Sequence, residues 1–293
     1  MFGGVNTAIV TPFRDGEIDW ATYEALVERQ LEAGISGIVP CGTTGESSTL
    51  TDEEKLALID RTVRQVAGRA VVIGGVGTND TAQSVRLTRA ARELGADAGL
   101  VITPYYNKPT QAGLYAHFAA IARSAPDFPL VLYNVPGRTG VNLAVETTDR
   151  LADLPEVVAI KDATADLVGA AELVATCGDR LVLLSGDDAT AFPVWCVGGH
   201  GVISVTSNLA PKRMVALWSA FSRGDIAAAR ALHSALFPLF RALFIEANPV
   251  PVKAAIQWYT GLPTAEVRLP LTPLEEASVE ALRGVCTRLG IGS

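Results

Sequence analysis

Val157-Val158-Ala159-Ile160-Lys161 is the stretch of this sequence that decides the fold. Four consecutive apolar residues predict a strand that is buried on both faces, and such strands are typical of parallel sheets. A lysine at the carboxyl end places a primary amine at the edge of an apolar interior. Burial disfavours a charged ammonium and favours the free amine, the nucleophile that forms a Schiff base with a ketone. Many strands end in a charged residue simply because the chain leaves the core, so the rest of the sequence must decide between these readings.

Seven more short β-rich runs recur along the chain, with amphipathic helical stretches between most of them. Such alternation predicts a (β/α)8 TIM barrel. The competing fold is an open doubly wound sheet, which usually has a glycine-rich turn after its first strand, whereas Thr11-Pro12-Phe13 stands there. The predicted strands are 6–10, 37–41, 70–75, 98–102, 130–133, 157–161, 181–185 and 201–205.

The helical pattern has clear start signals and continues beyond the barrel. Thr51 and Glu54 form a predicted capping box, and Asp80 is a predicted N-cap. After the last strand only helical periodicity is found, over 212–222, 226–245, 250–259 and 274–289. We therefore expect a barrel over residues 1–224 that carries the active site and a C-terminal helical domain over residues 225–293.

Composition and charge narrow the class of protein. The 293 residues are 49% hydrophobic and 19% charged, which excludes a disordered chain, and the net charge of −7 argues against nucleic acid and anionic membranes as partners. The four cysteines include no CxxC, and the three histidines have no metal-binding spacing, so neither a disulfide framework nor a metal cofactor is expected. Without a signal peptide or a transmembrane run, the sequence predicts a cytoplasmic protein.

Polar motifs follow the predicted strands where a barrel gathers its catalytic residues. Gly42-Thr43-Thr44-Gly45-Glu46 offers backbone N–H groups and hydroxyls to an anion. Tyr133 ends the strand before that of Lys161, and Arg138 follows in a glycine-containing loop, where a guanidinium suits a carboxylate. These groups are consistent with an amine that captures a ketone, hydroxyls that relay protons and a loop that holds a small carboxylate.

In order and spacing, these motifs resemble the dihydrodipicolinate synthase family along nearly the whole chain. The resemblance rests on Gly42-Thr43-Thr44-Gly45-Glu46, Tyr105-Tyr106-Asn107, Tyr133-Asn134-Val135-Pro136-Gly137-Arg138-Thr139-Gly140, Ile160-Lys161-Asp162 and Ser185-Gly186-Asp187-Asp188. It implies a lyase that condenses pyruvate with L-aspartate 4-semialdehyde in the biosynthesis of lysine and diaminopimelate. It also implies a homotetramer made of two tight dimers, with no cofactor other than the covalent Schiff base.

The resemblance also assigns roles to residues. Lys161 matches the Schiff-base lysine, and Tyr133, Thr44 and Tyr106 match the proton-relay hydroxyls, with Tyr106 expected to reach into the neighbouring subunit's site. The residues implied to bind substrate are Thr43 and Thr44 at the pyruvate carboxylate, Ile203 against the pyruvyl group, Gly186 near the aldehyde, and Arg138 at the semialdehyde carboxylate.

Two alternatives remain open from the residues. Related aldolases, such as N-acetylneuraminate lyase and 2-keto-3-deoxy sugar-acid lyases, keep the lysine and tyrosine, although the neuraminate lyases lack the Gly-Arg-Thr-Gly loop that contains Arg138. A non-catalytic barrel that binds a carboxylate is the other alternative.

A regulatory site is also implied by the resemblance. Members of the family that lysine inhibits bind it beside the residues matching Ser47, Asn79 and Tyr105. This chain has Asp52 and Lys55 where the enterobacterial relatives have histidines, and Gln83 where they have a glutamate. Because Lys55 would repel the ammonium of lysine, we predict weak or absent lysine inhibition.

Overall fold

The computed structural model describes residues 2–291 and is built around a closed barrel of eight parallel strands. Each barrel strand pairs with the next barrel strand along the chain, and the last barrel strand pairs with the first. The predicted TIM barrel is therefore confirmed. The barrel strands are β1 (Gly4–Ala8), β4 (Gly37–Val39), β5 (Val71–Gly75), β6 (Ala98–Ile102), β7 (Leu130–Asn134), β8 (Val157–Asp162), β9 (Val182–Ser185) and β10 (Gly201–Ser204). Two short strands, β2 (Phe13–Arg14) and β3 (Glu17–Ile18), form an antiparallel hairpin beside the barrel, which the sequence patterns did not reveal.

Twelve α-helices lie within residues 2–291. They are α1 (Trp20–Glu32), α2 (Asp52–Val66), α3 (Thr81–Glu93), α4 (Gln111–Ser124), α5 (Pro136–Thr139), α6 (Val145–Leu151), α7 (Leu167–Cys177), α8 (Asp188–Cys196), α9 (Pro211–Ser222), α10 (Ile226–Ala242), α11 (Val250–Thr260) and α12 (Glu276–Arg288). None of these helices has the length and apolar character needed to cross a membrane.

The predicted helix starts are formed as expected. Thr51 and Glu54 cap each other reciprocally at the start of α2, and the side chain of Asp80 accepts the first free N–H groups of α3. The predicted end of α10 at residue 245 is wrong, because the helix stops at Ala242 and the chain then turns toward Asn248.

Strand ends differ from prediction by a few residues. Strand β1 covers Gly4–Ala8 instead of the predicted residues 6–10, and β4 ends at Val39 instead of the predicted residue 41. Cys41 has a φ of 57°, in the left-handed region, so the backbone has already left the extended conformation there.

Two buried apolar clusters hold the barrel together. One lies between strands and helices, and the other fills the barrel interior with Val39, Ile73, Leu100, Val131 and Ile203. Tyr133 belongs to this inner cluster, so its ring is packed in the core while the strand end brings it to the rim.

The C-terminal helices pack on the barrel and on one another. Helix α10 lies against α8 and α9, and α12 lies against α10 and α11. The division into a barrel over residues 1–224 and a helical domain over residues 225–293 stays a prediction.

Candidate active site

Lys161 and Tyr133 occupy neighbouring positions on adjacent strands. The register of β7 and β8 pairs the two residues directly, and Lys161 Nζ lies 4.1 Å from the centroid of the Tyr133 ring. Lys161 is only 5% exposed, and within residues 2–291 its ammonium has no ion-pair partner. The face of the Tyr133 ring, and not a carboxylate, is therefore the group that contacts the Lys161 ammonium.

The two side chains line a cavity of about 720 Å³ at the carboxyl ends of the strands. Thr43, Thr44, Arg138 and Gly186 also line it, so most of the predicted site residues are brought together. One wall is built by the C-terminal segment, which contributes Pro238, Phe240, Arg241, Ala242, Phe244, Ile245, Asn248, Ala281 and Val285. This wall was not predicted, because its residues are distant in sequence from every strand end.

A buried ion pair holds the threonine loop in place. Thr43–Gly45 forms one 3₁₀ turn, and Glu46 follows in the left-handed conformation with a φ of 56°. Lys253 Nζ, on α11, donates to Glu46 Oε1 at 2.5 Å and to the Thr11 carbonyl at 2.9 Å. Burial lowers the pKa of Lys253, and the charge of Glu46 acts against that shift. The C-terminal helices are thereby fixed to the loop that lines the cavity.

Asn248 orients the hydroxyl of Thr44. Its Nδ2 donates to Thr44 Oγ1 at 2.9 Å, and its carbonyl accepts a hydrogen bond of 3.3 Å from Arg138 Nη2. Since the hydroxyl oxygen accepts from the amide, its own proton remains free to be donated to another group. The contact of Asn248 with Thr44 joins positions 204 residues apart, so it could not be predicted from the sequence pattern.

Two buried carboxyl groups stabilise the rim around Lys161. Asp162 accepts from Thr164 Oγ1 at 2.6 Å and from Asn134 Nδ2 at 3.2 Å. Asp188 accepts from the backbone N–H groups of Val205 and Thr206 at 3.0 and 2.8 Å. Burial raises the pKa of both carboxyl groups, although their hydrogen bonds act in the opposite direction.

Gly186 sits where the backbone of two rim loops comes very close. A Cβ at this position would lie 2.6 Å from Ala163 Cβ, which no side chain can accommodate without a shift. Its N–H donates to the Asp162 carbonyl at 2.6 Å. Glycine is therefore required here for packing, and its carbonyl belongs to a fixed part of the cavity wall.

Tyr106 and Ile203 lie outside the cavity wall. Tyr106 is 90% exposed with a φ of 69°, and Ile203 is buried in the inner core cluster beneath the site. The single chain thus supplies Lys161, Tyr133 and Thr44 to the cavity and leaves Tyr106 facing outward.

The residues predicted for an effector are only partly gathered. Ser47 and Tyr105 line a second cavity of about 210 Å³, whereas Asn79 exchanges hydrogen bonds with Asn107. Gln83 Nε2 donates to Asp52 Oδ1 at 2.7 Å. Among the described residues 2–291, no cluster of three or more His, Cys, Asp or Glu side chains could hold a metal ion.

Fold and site together define a (β/α)8 barrel with a buried lysine at the end of its sixth strand. The chain matches the family model described as the dihydrodipicolinate synthetase family over residues 1–288. It is 51% identical over 292 residues to the 4-hydroxy-tetrahydrodipicolinate synthase of Nitratidesulfovibrio vulgaris (strain Miyazaki F), with 99% of both chains covered. The chain therefore belongs to the dihydrodipicolinate synthetase family.

Solved structures support the same assignment. Dihydrodipicolinate synthase from Thermotoga maritima superposes with a TM-score of 0.96 at 47% identity, covering 99% of each chain. The enzyme from Aquifex aeolicus gives a TM-score of 0.97 at 42% identity, again with 99% of each chain covered. The family resemblance inferred from the motifs is confirmed.

Proposed function

We propose that this protein condenses pyruvate with L-aspartate 4-semialdehyde to form 4-hydroxy-tetrahydrodipicolinate, with Lys161 as the Schiff-base residue. The observation that carries the proposal is the Lys161 amine, buried beside the Tyr133 ring and open to a cavity whose other walls carry hydroxyls and a guanidinium. The family assignment and the names of the relatives support the same reaction.

The first half of the reaction makes the enamine. The neutral Lys161 amine attacks the ketone carbon of pyruvate, and Thr43 and Thr44 hold the carboxylate. Tyr133 delivers a proton to the carbinolamine hydroxyl, which leaves as water and gives the imine. Loss of a methyl proton then converts the imine into an enamine. Asn248 supports this step because it leaves the Thr44 proton free for the relay.

The second half joins the two substrates. The enamine carbon attacks the aldehyde carbon, and the aldehyde oxygen takes up a proton to become the hydroxyl. The amino group of the semialdehyde then attacks the imine carbon, closes the ring and releases Lys161. Arg138 binds the semialdehyde carboxylate in this proposal, and its Nη2 contact with the Asn248 carbonyl keeps the guanidinium at the cavity wall.

We also propose a homotetramer of tight dimers, in which Tyr106 completes the relay of the neighbouring subunit. The 90% exposure of this ring beside the rim supports that role. Four free cysteines, three of them buried, fit a reducing cytoplasm.

Borohydride trapping tests the Schiff base. Incubation with pyruvate and borohydride should reduce the imine and leave a pyruvate-derived mass on the peptide that contains Lys161. Lys253→Arg, a change at another buried lysine, serves as a matched control that must still be labelled. Active enzyme with an unlabelled Lys161 would contradict the mechanism.

A substrate panel tests the second partner. Turnover with L-aspartate 4-semialdehyde should exceed that with N-acetylmannosamine or simple sugar aldehydes, and Arg138→Ala should raise the KM for the semialdehyde more than that for pyruvate. Preferred turnover of a sugar aldehyde would assign the protein to a related aldolase specificity instead.

A further inference from the structure

A further cation lines the catalytic cavity and has no role in the proposed reaction. Arg241 lies in the last turn of α10, in the wall that the C-terminal segment contributes. The residue is exposed, and within residues 2–291 its guanidinium has no hydrogen bond, ion pair or aromatic partner. Glu246, the acidic residue closest to it in sequence, accepts instead from the backbone N–H of Glu275. Arg241 therefore adds an unpaired positive charge to the cavity wall.

A cation in the last turn of a helix can serve the helix alone, because it interacts favourably with the negative end of the helix dipole. Arg223 has such a position. It is the C-cap residue of α9, it is exposed, and its side chain has no partner within residues 2–291. Unlike Arg241, it is not part of the lining of the catalytic cavity. The two arginines thus differ in their relation to the cavity, and Arg223 is a matched control.

The catalytic cavity is positive although the chain as a whole is acidic. The charged side chains of its lining are Lys161, Arg138, Arg241 and a single carboxylate, Asp187. Asp187 caps α8 by accepting from the Ala189 N–H at 2.8 Å, so its charge lies at the positive end of a helix dipole. The net charge of the chain is −7, and a negative surface repels small anions. Cations in the cavity wall act against that repulsion where a substrate enters.

Arg241 is the cavity cation whose charge the chemistry does not use. Lys161 attacks as a neutral amine in the proposed reaction, and Arg138 is assigned to the semialdehyde carboxylate. The wall that contains Arg241 also contains Phe244 and Ile245, which are 45% and 43% exposed. Apolar walls reduce the screening by water, so a charge acts more strongly on an anion in such a cavity than on one at an open surface.

We propose that Arg241 is a specificity-determining residue that draws carboxylate substrates into the catalytic cavity by its charge. This inference rests on the proposed function, in which both substrates carry a carboxylate. A guanidinium stays protonated and is weakly hydrated, which suits it to attract a carboxylate. Arg241 acts without touching the reacting atoms: it raises the concentration of the anionic substrate near Lys161 and selects against neutral ketones of similar shape.

Reductive trapping of the imine measures this effect before the second substrate is involved. The wild type, Arg241→Gln, Arg241→Lys and Arg223→Gln are incubated with sub-saturating pyruvate and cyanoborohydride at low ionic strength, and the rate of mass addition is followed. We expect Arg241→Gln to lower the second-order rate constant about two- to fivefold, the range typical of an exposed ion pair. Arg241→Lys keeps the charge and Arg223→Gln removes the same charge elsewhere, so both should stay close to the wild type.

Two further arms separate the charge of Arg241 from the shape of the wall. Methyl pyruvate has the ketone but no carboxylate, so its rate constant should be the same in Arg241→Gln as in the wild type. In sodium chloride at about 0.5 M the difference between Arg241→Gln and the wild type with pyruvate should largely disappear, because the Debye length falls below about 5 Å.

Other results of the trapping experiment overturn the inference. Equal rates for Arg241→Gln and Arg223→Gln would show that the position of Arg241 in the cavity wall has no effect. An equal loss with pyruvate and methyl pyruvate, or a loss that salt does not reduce, would show that the substitution changes the wall and not the charge. A wild type that forms no adduct at Lys161 would instead contradict the proposed function, and this inference with it.

Stability gives a readout of a purely structural role. Both glutamine variants remove one cation from the end of a helix, so Arg241→Gln and Arg223→Gln should unfold at similar urea midpoints. A clearly lower midpoint for Arg241→Gln alone would assign Arg241 to the stability of α10 and would count against its role in substrate selection.

Discussion

Lys161 and Lys253 are both buried lysines beside an aromatic ring, but their surroundings differ. Lys161 Nζ lies 4.1 Å from the Tyr133 ring centroid, and Lys253 Nζ lies 4.5 Å from that of Phe13. Lys253 is fully buried and bound to Glu46 and to the Thr11 carbonyl, whereas Lys161 has no ion-pair partner within residues 2–291 and faces a cavity. If Lys161 is the Schiff-base residue, as proposed above, burial and an aromatic neighbour alone do not distinguish a reactive lysine from a structural one. Under that proposal, what separates the two lysines is the ion-pair partner of Lys253 and the open cavity beside Lys161.

The comparison is tested most strongly at Lys161. Lys161→Met should reduce turnover by on the order of 10⁴-fold or more, because the nucleophile is lost, while the free energy of unfolding stays equal or rises. Steady-state assays and urea unfolding measure the two effects. If Lys161→Met destabilised the fold as much as a change at Lys253 does, the distinction between the two lysines would be lost.

Lys253→Met should have the opposite profile. The substitution leaves the buried Glu46 carboxylate without the counter-charge of Lys253. We expect the free energy of unfolding to fall by about 3–5 kcal/mol. The double variant Lys253→Met/Glu46→Gln should recover much of that loss. The exposed pair of Arg64 and Asp60 is a matched control, for which Arg64→Met should cost no more than about 0.5 kcal/mol.

The buried side chain of His117 can be compared with the two buried lysines, because burial also disfavours its charged form. Burial lowers its pKa to about 4, Nδ1 bonds to Thr81 Oγ1, and Nε2 has no partner within residues 2–291. A folded-state pKa below the ordinary value of about 6.5 means that stability is present above pH 6.5 and is lost as the pH falls toward 4.

We expect the His117 contribution to decline by on the order of 2–3 kcal/mol across that interval. The measurement is the difference in unfolding free energy between the wild type and His117→Gln as a function of pH, which cancels the effects of Asp162 and Asp188. A difference that does not change between pH 7 and pH 4 would contradict the assignment.

The smallest predicted effect concerns the orientation of Thr44. Asn248→Asp removes the amide donor and offers the Thr44 hydroxyl an acceptor, so the hydroxyl proton would point away from the relay. We expect turnover to fall by roughly 10- to 100-fold with little change in the KM for pyruvate. Thr44→Ser keeps the hydroxyl and is the matched control, which should retain most of the activity. An unaffected Asn248→Asp enzyme would remove Asn248 from the relay.

Much of the fold was predictable because its signals are local. Buried parallel strands appear in the sequence as short apolar runs. Helix starts such as those at Thr51 and Asp80 can be recognised from capping residues within a four-residue stretch. Errors occurred at ends, where conformation depends on distant contacts. Strand β4 ends before Cys41, which had been predicted as its last residue, and α10 ends at Ala242 before the chain turns to Asn248.

The candidate site was predictable in its composition but only partly in its arrangement. Residues that end neighbouring strands, such as Lys161 and Tyr133, meet because the barrel order is fixed. The contribution of α10, α12 and Asn248 to the cavity could not be predicted, since helical periodicity specifies which face of a helix is apolar and not what that face covers.

The sequence alone determined the eight strands, the lysine at the end of the sixth and the family, because each depends on residue type and on spacing along the chain. Only the tertiary structure decided which lysine has a counter-charge. The Lys253–Glu46 pair joins positions 207 residues apart, and Lys161 has no ion-pair partner among residues 2–291 because other chain segments place their acids elsewhere. An ion pair requires its two charges to lie within a few ångströms in space. For residues that are far apart along the chain, the sequence pattern does not specify how close they lie in the folded protein.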